Sequence, residues 1–382
     1  MEIFFTSESL RILLTLLMAF LICFFSVPMV VKAAREKKLV DEPTDRGSHS
    51  RSVPTLGGVA IFASLLISSL IFLNIYKFPG LQYTIVGLII IFMLGIKDDL
   101  LVLSPWKKLV GQLVAAYLVI DFGNTGFTNL HGFAGIHELP SNATLFLSMF
   151  VMVVIINAFN LIDGIDGLAA GTGILSSLTF GVWFYMSQTY EMAVISFAMA
   201  GSLIAFFIYN VFGHHNKIFM GDTGSLMVGF LMSVLVIQFN EININVMIPY
   251  AVKSAPAVSV AILAIPLFDT LRVFTIRVMH RQSPFRADRR HLHHRLLDLG
   301  LNHLQATAIL VAANGLFIAA AFALQAVLSN VILVVFVLFA MAVGLSIIPT
   351  WIYRRRLQRT ALPPMPGANP ILTQKAEPVS VN

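Results

Sequence analysis

The sequence predicts an all-α integral membrane protein with about eleven transmembrane helices, and three observations carry that prediction. Hydrophobic residues make up 57% of the 382 residues and charged ones only 12%, against about 45–50% and about 25% in soluble domains. Apolar runs close to the roughly 20 residues that cross a bilayer core recur along the chain. Lys and Arg fall between these runs with a strong bias toward alternate loops.

In order, the runs lie near Leu10 to Val31, Leu56 to Tyr76, Thr84 to Ile96, Leu109 to Phe122, Ala143 to Phe159, Leu168 to Met186, Met192 to Phe212, Ser225 to Phe239, Ala255 to Val273, Ala306 to Leu328 and Val331 to Trp351. The first is longer than a signal-peptide core and leads into Lys32, Arg35, Lys37 and Lys38 without a small-residue cleavage site, so it reads as a retained helix. The third and fourth are short. If successive loops alternate sides, all of the 25 Lys and Arg residues except Arg11, Lys77 and Lys253 collect on one side, 22 in all. The positive-inside rule makes that side cytoplasmic, with the N-terminus outside and the C-terminus inside. Residues 1–359 then form one polytopic domain, and the Pro-rich residues 360–382 form a mobile cytoplasmic tail.

The formal charge of +6 does not point to nucleic acid, because the basic residues punctuate apolar runs and do not cover a folded surface. Cys23 is the single cysteine and sits inside an apolar run, so a disulfide framework and a cysteine zinc site are both excluded. Other side chains must carry any chemistry.

Acidic residues meet the membrane in three cytoplasmic segments: Asp98 and Asp99 in GIKDDL, Asp163 and Asp166 in NAFNLIDGIDGLAAG, and Asp222 in FMGDTGS. A carboxylate at the bilayer centre costs about 2.5–3.5 kcal/mol on insertion scales, so five of them on one side predict a wet cavity at the inner face. For any one of them the alternative is a solvated charge at the membrane boundary. Asn157, Asn160, Asp163 and Asp166 recur every three residues, which places neighbours on one helical face, while Gly164 and Gly167 predict a frayed or 3₁₀-like junction there. An all-oxygen acidic set suits Mg²⁺, with Mn²⁺ as the substitute. Thr55, Gly57 and Gly58 in VPTLGGVA open a helix whose amides are placed to hold phosphate; close helix packing is the alternative.

In the last inside loop, RADRRHLHHRL, His291, His294 and Arg295 share a face if the segment is helical, and His293 points elsewhere. Arginines this dense repel a cation, so the loop reads as a clamp for an anionic substrate and not as a zinc site; the alternative is a basic strip on anionic lipid headgroups. Asp269 stands one turn from Arg272, and a buried structural pair is expected. His214 and His215 read as solvated loop residues.

With these residues in view, the chain resembles the polyprenyl-phosphate N-acetylhexosamine-1-phosphate transferases of glycosyltransferase family 4. The resemblance runs in order through VPTLGG, GIKDDL, LSPWKKLVGQ, NAFNLIDGIDGL, FMGDTGSL, PLFDT and HLHH. It implies a multi-pass enzyme of the bacterial cytoplasmic membrane, able to form a homodimer. Such an enzyme moves a sugar 1-phosphate from a UDP-sugar, UDP-N-acetylglucosamine first among them, to undecaprenyl phosphate with release of UMP. By motif, Asp98 and Asp99 match the paired catalytic aspartates, and Asp222, with Asp99, matches the metal ligands. Asp163, Asp166, Asn160, Lys108 and Thr55 match substrate-binding positions, as do His291, His293, His294 and the adjoining Arg295. The H-x-H-H spacing and the eleven runs resemble the N-acetylglucosamine branch more than the muramoyl-pentapeptide branch. His214, His215 and Asn216 lengthen the stretch after Asn210 relative to many family members, which puts Asn210 in doubt as a nucleotide contact.

A phosphate monoester with a second pKa of about 6 is mostly dianionic near neutrality, so the acceptor needs little help from a base. The expected scheme is direct in-line displacement, with Asp98 orienting the acceptor; the competing scheme makes an aspartate the nucleophile. A secondary transporter is the rival from another class, but its site belongs at the midplane between inverted repeats, and neither feature is visible here.

Overall fold

The computed structural model describes residues 7–39, 53–78, 80–282, 291–328 and 330–360, and a helix occupies each of the eleven apolar runs. In chain order these are α1 (Ser7–Glu36), α2 (Gly57–Phe72), α3 (Leu81–Leu101), α4 (Pro105–Tyr117), α5 (Ser141–Ile162), α6 (Leu168–Met186), α7 (Tyr190–Phe212), α8 (Gly221–Ile242), the pair α9 (Ala255–Ile262) and α10 (Ala264–Met279), α12 (His303–Val327) and α13 (Val331–Thr360). A short α11 (Leu292–Asp298) precedes α12, and α4 runs on into a π turn over Leu118–Phe122. The loop before α5 folds into a two-stranded antiparallel hairpin, β1 (Asn129–Phe133) and β2 (Ile136–Glu138), with Gly132 and Gly135 at positive φ beside its turn. Among the described residues seven helices are long and apolar enough to cross a membrane, or eight counting α9 and α10 as one bent span, and α2 is a shorter apolar helix. Of the proposed tail, residues 360–382, Thr360 is the last residue of α13 and residues 361–382 lie outside the described residues.

The run expected as one helix from Ala255 to Val273 is broken. α9 and α10 meet at 82° around Leu263. The physical cause is Pro266, which cannot donate to the carbonyl of Ile262 four residues back and whose ring crowds it. That freed carbonyl accepts from Ser176 Oγ and from Asn314 Nδ2, each at 2.9 Å, while Asn314 Oδ1 accepts from the amide of Ile265 at 3.0 Å. Side chains from α6 and α12 thus satisfy a break that lipid alone would not tolerate.

α8 is the central helix, buried along nearly its whole length and packed by α3 and α5. Small residues let its neighbours approach: a Cβ on Gly58 would lie 2.3 Å from the amide nitrogen of Gly224. Apolar side chains line the periphery, among them Leu13, Leu17, Leu21 and Phe25 of α1 and Phe336 of α13, as expected of a lipid-facing surface. At one end of the bundle Arg11 pairs with Glu8 and with Glu191, which also accepts from the amide of Asn74. The aspartates named above gather at the other end.

Candidate active site

The last turn of α3 and the first turn of α8 form the floor of the site. Asp99 accepts from the amide of Asp222 at 2.7 Å, from the amide of Thr223 at 3.0 Å and from its hydroxyl at 2.5 Å. It therefore caps the start of α8 from a neighbouring helix, meeting amides that have no partner inside α8. Asp98 accepts from the amide of Leu103 and pairs with the ammonium of Lys108, with 1% of its side chain exposed. Lys108 Nζ also lies 3.1 Å from Asp222 Oδ2, and the other oxygen of Asp222 accepts from Asn160 Nδ2. Asp222 keeps 32% of its side chain open and Lys108 24%, whereas Asp98 is closed off behind Lys108. Asn157 turns instead to Gln112, at 2.8 Å.

VPTLGG reaches the site through its backbone. Its amides at Gly57 and Gly58 donate to the carbonyls of Phe219 and Met220, both at 2.9 Å, and so are not offered to an anion as the sequence reading expected. The amide of Phe219 donates in return to Pro54, at 2.8 Å. Strand-like pairing of two extended segments has taken the place of a phosphate cradle. Thr55 presses its carbonyl on Gly221, whose φ is +70° and whose Cβ would lie 2.1 Å from that oxygen. Only glycine fits there.

α5 ends at Ile162 and α6 begins at Leu168, so the expected junction is a turn over Asp163 to Gly167, with Gly167 at φ +80°. Asp166 accepts from Lys217 Nζ at 2.7 Å, lies 3.1 Å from Nδ1 of His303, and takes the hydroxyl of Thr307 on its carbonyl at 2.8 Å. Sequence reasoning missed Lys217, His303 and Thr307: they stand 51, 137 and 141 residues from Asp166 and carry no local pattern. Asn210 is buried, its Oδ1 accepting from the amide of Gly167 at 2.6 Å and its Nδ2 donating to Ile218 at 2.9 Å, so it braces the turn. The inserted His214 and His215 are exposed, and Arg35 anchors the carbonyl of His215 at 2.6 Å.

The histidine loop departs from the expected helical face. α11 starts at Leu292, which leaves His291 as its cap, off the helix. The His291 and His293 rings stack 5.5 Å apart, and His294 lies 4.3 Å from His293. Arg295 sits 3.6 Å from Asp298 and over the ring of Tyr353 on α13. Asp269 does not pair with Arg272; it takes His291 Nδ1 at 2.9 Å and the amide of Leu292 at 2.8 Å. His293 packs against Gly164 of the acidic turn, where a Cβ would lie 2.5 Å from its Nε2, and burial pushes its pKa down to about 3.

Asp163 is the electrostatic exception. It makes no hydrogen bond or ion pair among the described residues, and it faces Asp222, Asp99 and Asp166. Burial first, and those three charges after it, hold its carboxyl well above the usual carboxylate range. Half-buried carboxylates facing one another with one side uncompensated, and with oxygen donors only, fit a hard divalent cation such as Mg²⁺. If such a cation binds here, Asp222 and Asp163 would hold it, with Asp99 fixing the start of the helix that carries Asp222.

Residues 81–240 match the model of glycosyl transferase family 4. A probable undecaprenyl-phosphate N-acetylglucosaminyl 1-phosphate transferase of Bacillus subtilis is 30% identical over 89% of this chain and 91% of its own length. An undecaprenyl-phosphate alpha-N-acetylglucosaminyl 1-phosphate transferase of Escherichia coli K12 is 27% identical over 86% and 89%. A decaprenyl-phosphate N-acetylglucosaminephosphotransferase of Mycolicibacterium smegmatis is 31% identical over 77% of each chain. With most of both chains matched at this identity, and the family's segments meeting at one end of the bundle, the protein belongs to glycosyl transferase family 4.

Proposed function

We propose that this chain transfers N-acetylglucosamine 1-phosphate from UDP-N-acetylglucosamine to undecaprenyl phosphate, releasing UMP, at the inner face of the bacterial cytoplasmic membrane. The observation that carries the reading is the meeting of Asp163, Asp222, Lys108 and Asn160 at one end of a lipid-exposed helical bundle. The names of the relatives support the choice of donor sugar and acceptor lipid. The N-terminus lies outside and all eleven helical runs cross, with the cationic loops on the side of the site.

The obstacle to the reaction is one anion attacking another. Mg²⁺, when bound, supplies charge neutralisation for the donor diphosphate. Lys108 sets a cation beside the cavity, and buried Asp98 fixes where that cation stands. Asn160 orients Asp222 through its amide, and Asp99 holds the start of α8 so that Asp222 faces the cavity. Asp166, clamped by Lys217 and His303, presents a rigid acidic turn to the donor, while His291 and His294 meet its phosphates. The acceptor phosphate attacks in line, its dianion needing no strong base.

The test is a panel of UDP-sugars given to the purified protein with C55 polyprenyl phosphate and Mg²⁺, reading UMP release and the mass of the lipid product. A lipid diphosphate N-acetylglucosamine product is expected. UMP release with no lipid product, or with none of the UDP-N-acetylhexosamines accepted, would overturn the reading.

A further inference from the structure

The segment that leads into α11 is tied down by a carboxylate that the transfer scheme above does not use. Asp269 lies within α10, 5% exposed, and aims both oxygens at this one segment. Oδ1 accepts from the amide of Leu292, a first-turn amide with no partner inside α11, at 2.8 Å; Oδ2 stands 2.9 Å from His291 Nδ1. A carboxylate accepts only, so the hydrogen of that second contact sits on Nδ1. Nε2 makes no hydrogen bond among the described residues.

Packing fixes the ring as firmly as the hydrogen bond does. His293 stacks on His291 with 14° between the planes, and His293 is itself wedged against Gly164 between Asp163 and Asp166. The Asp269–His291 couple is therefore in register with the acidic turn through a single intervening ring.

We infer that Asp269 is a positioning residue for the donor: by holding Nδ1 it fixes His291 in the tautomer and orientation that leave Nε2 for the nucleotide sugar. This deepens the proposed transferase reading and rests on it. Asn at position 269 removes the charge and sets an amide where one of two donors must be met, so His291 loses its fixed tautomer. A hydrogen bond to the nucleotide sugar is then lost on the donor side alone.

The experiment compares wild type, Asp269→Asn, His291→Ala and the double variant in detergent, measuring KM for UDP-N-acetylglucosamine, KM for polyprenyl phosphate, kcat, and UDP binding by calorimetry. In Asp269→Asn the donor KM should rise about tenfold, with kcat within about threefold and the acceptor KM unchanged. In the His291→Ala background the same change should add less than about twofold. A purely structural cap would lower the active fraction, and so kcat, leaving both KM values alone; that result, or effects that add, overturns the inference. If Asp269→Asn does not accumulate as folded protein, Asp269→Glu carries the same comparison, since it keeps the charge but moves it by one methylene. Asp269, His291 and His293 also bring ligand atoms within 4.8 Å of one another; one zinc per chain, lost in His291→Ala, would replace the couple by a metal centre and overturn it too. UDP binding reads the couple independently of turnover, so a protein that binds UDP through His291 yet makes no lipid product would sink the transferase reading and leave this one standing.

Discussion

The Lys108 ammonium lies 3.1 Å from Asp222 Oδ2 and bridges that half-open carboxylate to Asp98, of which only 1% is exposed. One lysine thus neutralises a buried charge and keeps part of its own side chain open. Lys108→Met should strand Asp98 without a partner and cost about 2–3 kcal/mol of stability, somewhat under the value for a fully buried pair because Lys108 is partly solvated. Adding Asp98→Asn should recover most of that stability and none of the activity, which should remain at least about 100-fold down. Thermal unfolding in detergent and UMP release check the two halves separately. A single Lys108→Met as stable as wild type would contradict the bridge.

Gly221 has no room for a methyl group. With φ at +70° and the Thr55 carbonyl 2.1 Å from where a Cβ would stand, Gly221→Ala must either push VPTLGG off α8 or unwind the turn that carries Asp222. It should lower stability by at least about 3 kcal/mol and remove activity. Gly344→Ala, whose Cβ would meet nothing, should stay within about 0.5 kcal/mol of wild type. Unfolding midpoints of the two variants, measured side by side, decide it.

Metal removal gives a third outcome. If Asp222 and Asp163 hold Mg²⁺, saturating metal should raise the unfolding midpoint of wild type at neutral pH, by the equivalent of about 1.4 kcal/mol at ten times the dissociation constant. Asp163→Asn should be more stable than wild type in chelator at neutral pH, because an amide avoids the cost of forcing a buried carboxyl to take up a proton on folding, and should lose the response to Mg²⁺. Asp222→Ala should be inactive at any Mg²⁺ concentration. Normal turnover of Asp222→Ala in chelator would remove the assignment.

Much of this site was legible because its chemistry is local. GIKDDL, NLIDGIDGL and FMGDTGS each place a carboxylate at a helix end, and apolar periodicity located the helices that carry them. Pairing across the fold was not legible. Asp269 has Arg272 one turn away, but its oxygens serve His291 and Leu292, whose amide at the start of α11 has no partner inside the helix. Lys217 follows the inserted His214 to Asn216 with no motif to mark it, yet it pairs with Asp166. The amides of Gly57 and Gly58 looked available, but the extended stretch before α8 claims them, which no pattern within VPTLGG discloses. The break at Leu263 had its cause written in Pro266; the stitching by Ser176 and Asn314 did not.

His293 offers a pH test with a definite sign. Its pKa falls from the usual value near 6.5 to about 3, so between those limits the unfolded chain binds a proton that the folded chain refuses. Stability contributed by neutral His293 is complete above about pH 6.5 and is lost as the pH drops, by about 2 kcal/mol at pH 5. His293→Phe keeps a ring against Gly164 and leaves no buried nitrogen, so its unfolding free energy should fall less between pH 7 and pH 5 by that amount. Equal slopes in wild type and variant would show His293 to be protonated or solvated in the folded protein.

The stereochemistry at phosphorus separates the two schemes, and the geometry favours one. An aspartate nucleophile must be exposed, ionised and free to leave its partners. Asp98 is closed off behind Lys108, both oxygens of Asp99 are engaged at the start of α8, and Asp166 is clamped by Lys217 and His303. Asp222 is accessible but held by Asn160 and Lys108. Of these five carboxylates only Asp163 makes no hydrogen bond or ion pair among the described residues, and the burial and like charges around it favour its protonated, non-nucleophilic form until a cation is present. The acceptor dianion is therefore the better nucleophile, and a chiral thiophosphate donor should yield a product inverted at phosphorus. Retention would require two displacements and would point to Asp163, the one carboxylate whose replacement by Asn should then abolish both turnover and any trapped sugar-phosphate adduct.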